Sequence, residues 1–392
     1  MFDLLLAGGV VVDPSQGMSG PADVGIREGR VAAVGPGLAQ PARERIDARG
    51  CIVTPGLIDL HAHVYAGVTS WGLKPDPVCL ATGVTTIVDA GSASWSSLAG
   101  FRWYIAEPAA TRVLCYLHIS GIGLIYAPVG EMLNLAFADP ESVGQHAKEN
   151  ADLVVGIKIR QGTFQVGEHG TKPLQLAIEA AEIAGVPVMC HIAEGPPLAE
   201  ILSLLRPGDV VTHCFQGRGE PVVDPKGDLL PAAREARERG VVMDVGHGGG
   251  SFRWEVGEAA LERGYPPDVI STDLHTYNRY GPVYDLPTTL SKFLHLGMTL
   301  EQVIERATVA PARALRRPDL GTLRPGAPAD VALFTLEEGE FLLQDAHGGT
   351  RTGRRRLTPR LTVRAGRVYH PEALVQETRE ELIRRSRPRR KV

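Results

Sequence analysis

Paired cysteines, long apolar runs and internal repeats are all missing from this 392-residue chain. The five cysteines, Cys51, Cys79, Cys115, Cys190 and Cys214, stand far apart with no CxxC pair. That argues against a disulfide scaffold and for a reducing cytoplasm. No run of eighteen apolar residues occurs, so no membrane-spanning helix is expected. The N-terminal Met-Phe-Asp-Leu-Leu-Leu-Ala lacks the positive flank of a signal peptide and reads as a strand. Lysine is scarce, seven residues against 34 arginines. General basicity is missing too. The net charge is -4, and the last nine residues hold Arg384, Arg385, Arg387, Arg389, Arg390 and Lys391 with no acid. Taking those six charges away leaves the rest at -10, a poor nucleic-acid binder. The tail reads as a solvated end, with an RNA- or partner-binding arm as the lesser alternative.

What is present is a strand-helix alternation long enough for a large barrel with an appendage. Residues 1–55 read as short strands broken by turns, with Glu28-Gly29 joining a hairpin. From residue 56, eight β-rich runs recur: Leu57–Val64, Thr85–Ala90, Arg112–Ile119, Val154–Ile159, Pro187–Ala193, Asp209–Phe215, Val241–Gly246 and Val269–Leu274. Between the fourth and fifth lies a helix. Thr171 is its expected cap, Pro173 sits in its first turn, Leu174, Ala177, Ile178 and Ala181 form its stripe, and Gly185 ends it. The pattern predicts an α/β chain with a (β/α)₈ TIM barrel over 56–319. Residues 329–334 and 361–369 return to β character. Neither end alone has enough strands for a core, so 1–55 and 320–370 are expected to form one composite β-sandwich. Residues 371–392 read as a terminal helix, to about 385, and the basic tail.

In such a barrel, chemistry sits at the C-terminal strand ends. The first run ends in His61-Ala62-His63, whose i, i+2 spacing turns both imidazoles into the mouth, as two ligands of one metal require. Alone, the pair is weak, and two hydrogen-bonded or exposed histidines would explain it as well. The fourth run carries Lys158 inside an apolar strand. Either its charge snorkels to the rim, or burial leaves a neutral amine able to take up CO₂ as a carbamate that bridges two cations. The fifth, sixth and eighth runs contribute His191, His213 and Asp273. Each has an ordinary structural explanation. Six such residues at one rim are far harder to explain as core polar groups.

These residues resemble the amidohydrolase superfamily of metal-dependent hydrolases. The resemblance is carried by Pro55-Gly56-Leu57-Ile58-Asp59-Leu60-His61-Ala62-His63, Lys158, His191, His213 and Asp273, and by residues 321–330 of the closing strand. Gly156-Ile157-Lys158-Ile159-Arg160, Thr212-His213-Cys214-Phe215 and Ser271-Thr272-Asp273-Leu274-His275 are similar to the amidohydrolase/deacetylase group, relatives of dihydroorotase. The resemblance implies two divalent ions, usually Zn²⁺. His61 and His63 would hold one with Asp273, and His191 and His213 the other. Lys158 carboxylated by CO₂ would bridge them together with a hydroxide. Asp273 would move the proton to the leaving group, while the second ion polarises the carbonyl. A homo-oligomer is also implied, without residue-level support.

Specificity should come from the loops. Arg160, two beyond Lys158, is expected either to grip a substrate carboxylate or to sit in a rim salt bridge. His118, Tyr126, Gln216, His247, Arg253, His275, Asn278 and Tyr280 are the other loop candidates, with His275 foremost because it follows Asp273 by two. Asp59 is either an orienting acid or a buried core residue. Cys190 and Cys214 should face the helices as small apolar groups. The glycine-rich 246–250 stretch reads as a mobile loop over the site or a plain turn.

The expected activity is hydrolysis of an amide or ester bond in a small, carboxylate-bearing acylated amino or hydroxy acid. Ring opening of a cyclic amide, as in dihydroorotase, is the near alternative. A non-catalytic scaffold is the distant one, and the six filled ligand positions argue against it.

Overall fold

The computed structural model describes residues 1–126, 128–224 and 226–386. Two sheets organise them. The chain ends build an eight-stranded sheet from β1 (Phe2–Asp13), β2 (Met18–Arg27), β3 (Arg30–Gly35), β4 (Ala42–Asp47) and β5 (Ile52–Pro55). The second sheet holds β6 (Leu57–Ala62), β7 (Val84–Ala90), β8 (Arg112–His118), β9 (Val154–Gln161), β10 (Val188–Ile192), β11 (Val210–Thr212) and β12 (Val242–Asp244). The first is completed by β13 (Val331–Gln344), β14 (Thr350–Arg364) and β15 (Arg367–Tyr369), and runs β15-β14-β13-β5-β1-β2-β3 with β4 paired to β1. Leu4, Leu6, Val11, Val24, Val53, Val331 and Leu333 form its core. Strands from both ends pair directly, Val331 opposite Pro55, so each end supplies edges that the other needs.

β6 to β12 pair in parallel in chain order. The eighth run, expected over Val269–Leu274, makes bridges without becoming a regular strand. Val269 pairs with Asp244 and Leu274 with Ala62, and His63 N donates to Leu274 O at 2.9 Å. The ring thus closes as a TIM barrel. Thr272 explains the irregularity: its N–H and hydroxyl both bond to the Asp59 carboxylate, at 3.0 and 2.5 Å, and Asp273 follows with φ +49°. β11 and β12 also stop short of the expected ends, at Thr212 and Asp244; His213 turns out of β11 at φ +71° and Gly246 follows β12 at φ +43°. Ile58, Leu60, Val88, Leu114, Tyr116 and Met189 plug the barrel floor.

The helix Lys172–Ala184 forms with Pro173 in its first turn and Gly185 at φ +71° after its end. Thr171 does not cap it; its hydroxyl donates to Glu200 Oε1 instead. The terminal helix is shorter than expected, Arg379–Ser386, because it begins where Thr378 and Glu381 cap one another. Residues 387–392, most of the basic tail, lie outside the described residues. Among the described residues no helix is long and apolar enough to cross a membrane.

Candidate metal centre

The strand ends bring the expected residues together. The ligand atoms of His61, His63 and Asp273 all lie within 4.8 Å of one another, and all three residues are buried. Asp273 Oδ1 is 3.1 Å from His63 Nε2 and 3.4 Å from His61 Nε2. Lys158, buried in β9, brings Nζ within 3.4 Å of His61 Nε2. The His213 ring lies 5.1 Å from that of His61 and 4.4 Å from that of half-buried His191, perpendicular to the latter.

The hydrogen-bond partners on the far side of each ring fix what it presents. His213 Nδ1 faces the carbonyl of Gly246 at 2.6 Å. A carbonyl only accepts, so Nδ1 carries the proton and Nε2 keeps its lone pair. His61 Nδ1 lies 2.8 Å from Thr212 Oγ1, and that hydroxyl donates to Asp244 Oδ2 at 2.7 Å. Its hydrogen is committed, so His61 Nδ1–H donates and Nε2 is again bare. His63 Nδ1 meets Ser92 Oγ at 3.0 Å. His275 and His118 are the opposite case. Their Nδ1 atoms accept the backbone N–H of Tyr277 and Ser120, which puts the ring proton on Nε2. Two histidines therefore offer lone pairs and two offer donors.

Electrostatics agree with that division. Burial drives the imidazoles toward neutrality: His63 falls to about 3, His213 to about 4, and His61 and His191 well below their ordinary value. Neutral imidazole is the form that binds a cation. Burial also brings the Lys158 amine down to about 8, against the pull of Asp273. His213 Nε2 and Asp273 Oδ1 are buried without a hydrogen-bond partner among the described residues. Both residues also hold the left-handed backbone that side chains avoid, a strain that collects at functional sites.

The rim departs from expectation at several points. Arg160 is buried and gives Nε and NH2 to the Glu131 carboxylate at 2.8 and 3.3 Å, the salt bridge that was one of its two readings. Its guanidinium also lies over Trp71 at 5.1 Å. His118 turns Nε2 to Glu131 at 3.4 Å. Burial pushes Glu131 up, but Arg160 and His118 overturn that and hold it at about 2. His275 stacks on Trp71, 5.1 Å and 22° between rings, and lies 6.3 Å from the His63 ring. Gln216 is absorbed by its own loop, accepting from Arg218 N and donating to Glu220 O. Tyr126 is 60% exposed and joins none of the site contacts. His247 faces away, its Nε2 accepting from Lys292 Nζ at 2.8 Å. Arg253 pairs with Glu255 and Tyr280 bonds to Glu377 O, while Asn278 ties the Asp273 carbonyl to the His275 amide. Asp59 braces the eighth barrel segment and touches no ligand imidazole.

Of the glycine-rich stretch, for which a mobile loop was one expectation, Gly246 and Gly248 form a packed wall while Gly249 is exposed. A Cβ on Gly246 would stand 2.2 Å from Thr212 Oγ1, 2.9 Å from His213 Nδ1 and 3.1 Å from His61 Nδ1; one on Gly248 would stand 2.6 Å from Asp273 Oδ2. The backbone is pinned by His247 N→Ser271 O and Gly248 N→Thr272 O. Glycine is needed there because the wall touches the site.

A family profile described as a deacetylase-like composite domain matches residues 323–370. A deacetylase of Agrobacterium fabrum is 38% identical over 362 residues, covering 92% of this chain and 89% of that one. The chain belongs to the deacetylase group of the amidohydrolase superfamily. Two solved structures of the superfamily superpose closely. One, described as an adenine deaminase, has a TM-score of 0.89 at 35% identity, over 94% of this chain and 100% of that one. The other, described as a dihydroorotase, has 0.87 at 36%, over 94% and 97%. As an amidohydrolase, the protein is a hydrolase of amide or other C–N bonds.

Within this amidohydrolase, sequence reasoning missed the supporting shell: Thr212, Asp244, Ser92, Glu131 and Trp71. Faint signals existed. Thr212 adjoins His213, and Glu131 is the one charged residue between 121 and 138. Trp71 had no signal; its carbonyl accepts the Thr276 amide and hydroxyl, a contact between loops 200 residues apart.

Proposed function

We propose that the enzyme is a binuclear metal-dependent deacetylase acting on a small acylated amino or hydroxy acid that bears a carboxylate. One observation carries this reading: the bare Nε2 of His61 converges with His63 and Asp273 Oδ1, the His213 ring with its unpartnered Nε2 stands 5.1 Å from that of His61, and the outer nitrogens of His61 and His213 are locked by Thr212 and Gly246. Buried acceptors gathered this closely, with His213 Nε2 lacking any partner among the described residues, suit a cation among them. Neutral imidazole with carboxylate oxygen suits Zn²⁺. His61, His63 and Asp273 would hold one ion, His191 and His213 the other, with carboxylated Lys158 between. When bound, the ions supply the Lewis acidity that activates water and polarises the scissile carbonyl.

The chain's own residues supply the rest. An amine brought down to about 8 is neutral in an appreciable fraction near neutral pH. Its lone pair forms the N–C bond with CO₂, and the displaced amine proton leaves to solvent. The Asp273 carboxylate takes the proton released as water adds to the carbonyl and returns it to the departing nitrogen or oxygen. Arg160 NH1, which has no acceptor among the described residues, and His275 Nε2–H are the donors assigned to the substrate carboxylate, beside the Trp71 wall. The five free cysteines suit a reducing cytoplasm.

The test is acetate release from N-acetyl and O-acetyl acids of both configurations, run beside dihydroorotate. Acetate release that is lost when the substrate carboxylate is methylated fits the proposal. Ring opening of dihydroorotate without deacylation would replace it with a dihydroorotase activity.

A further inference from the structure

The opposite, N-terminal end of the barrel carries a second concentration of charge. A cavity of about 440 Å³ opens there, lined by Arg237, Arg306, Arg313 and Arg316 with Asp268 and Glu305. Two of these arginines are neutralised and held in place. Arg237 donates to Asp268 Oδ1 at 2.6 Å and to Pro266 O. Arg306 donates to Pro267 O and lies 3.5 Å from Glu305. The other two are not. Arg313 meets no acceptor among the described residues, and Arg316 donates only NH1, to Gly185 O at 3.0 Å, from a left-handed backbone at φ +54°. Four arginines against two carboxylates leave two positive charges in the wall of a protein whose net charge is -4.

A second cavity, also about 440 Å³, shares Arg313 and Arg316 and continues past them. Its far side sets Val309, Ala312 and Leu320 beside Thr322 and two arginines that are already engaged, Arg317 with Asp319 and Arg324 with Ser15 O. The N-terminal face of a barrel ordinarily serves stability, and two exposed, uncompensated arginines contribute little to that. They fit an oxyanion instead, since a guanidinium fork matches phosphate geometry.

We propose that the paired cavities bind a phosphate monoester, with its dianion on Arg313 and Arg316 and its organic part against Val309, Ala312 and Leu320. This site is separate from the metal centre and does not depend on the proposed reaction. The experiment is thermal unfolding of the full-length, metal-loaded enzyme titrated with phenyl phosphate, inorganic phosphate or sodium chloride at matched ionic strength. Phenyl phosphate should raise Tm saturably by a few degrees, with a half-effect below that of inorganic phosphate. Arg313→Gln and Arg316→Gln should each move that half-effect up by about tenfold or more, the loss of one charged hydrogen bond. Arg354→Gln, which removes an exposed arginine paired with Glu340, should leave it unchanged. Should Arg316→Gln lower the ligand-free Tm, Arg313→Gln alone decides. A shift equal to that of chloride overturns the site, as does one that survives both variants. Equal half-effects for the monoester and the bare ion overturn the role given to the second cavity.

Discussion

Thr212→Val isolates how the centre is held. Valine keeps the shape of threonine, so the close approach of Gly246 survives. Only the hydroxyl is lost, and with it the 2.8 Å contact to His61 Nδ1 and the 2.7 Å bond to Asp244 Oδ2. Asp244 cannot serve His61 directly: its Oδ2 is 3.8 Å from His61 Nδ1, beyond hydrogen-bond reach. His61 Nδ1 loses its partner and Asp244 loses one of its two hydroxyl neighbours, Thr212 beside Ser271, so a stability loss of about 1–3 kcal/mol is expected. The effect on metal is separate. Freed of its acceptor, His61 can place its proton on Nε2, the atom that faces Asp273. Loss of such an orienting partner weakens metal binding by roughly 10–100-fold. The assay is chelator competition for zinc together with thermal unfolding, with Thr212→Ser as the variant that restores the hydroxyl. Zinc affinity in Thr212→Val within about twofold of wild type would refute the tautomer argument.

Three further outcomes are expected. Asp273→Asn should keep much of its metal and lose turnover by about 100-fold or more, the contribution of a positioned proton carrier; near-normal steady-state rates would remove Asp273 from that role. Gly246→Ala, at φ +43° with a new Cβ against Thr212 and two ligand rings, should cost at least about 2 kcal/mol and lower metal content together, so an unchanged Tm with full metal would contradict the packed-wall description. Glu131 has its pKa depressed to about 2 from 4.5. Its stabilising effect, on the order of 3 kcal/mol, should be complete above about pH 4.5 and fade as pH falls toward about 2. The stability gap between wild type and Glu131→Gln should therefore narrow on acidification, and a gap independent of pH would count against that pairing.

The proposed ligands were legible because a strand's period of two is local. His61 and His63 need only one strand to share a face, and strand ends can be found from apolar runs. The same rule fails at His213 and Asp273, where the left-handed backbone breaks the strand. Those residues still reach the mouth because their position at a strand end was enough. The supporting shell was illegible for a different reason. Thr212, Asp244 and Ser92 are ordinary polar residues until the barrel closes, and Trp71 acquires its neighbours from the first, fourth and eighth loops. Arg160 was left between two readings because its partner, Glu131, lies in the loop after β8. The β13–β14 arm also escaped beyond its two ends. Its middle lacks apolar alternation, and cross-strand pairs such as Glu337–Arg356 and Glu340–Arg354, at 2.7 and 2.6 Å, stand in its place.

The central claim is that the converging lone pairs and Lys158 hold two ions. Its most direct test is elemental mass spectrometry of protein purified without chelator or added metal, compared with Lys158→Ala. The account predicts about two zinc-like ions per chain in the wild type and a clear loss in the variant. One ion per chain in both, or none in the wild type after reconstitution with zinc and bicarbonate, would contradict it.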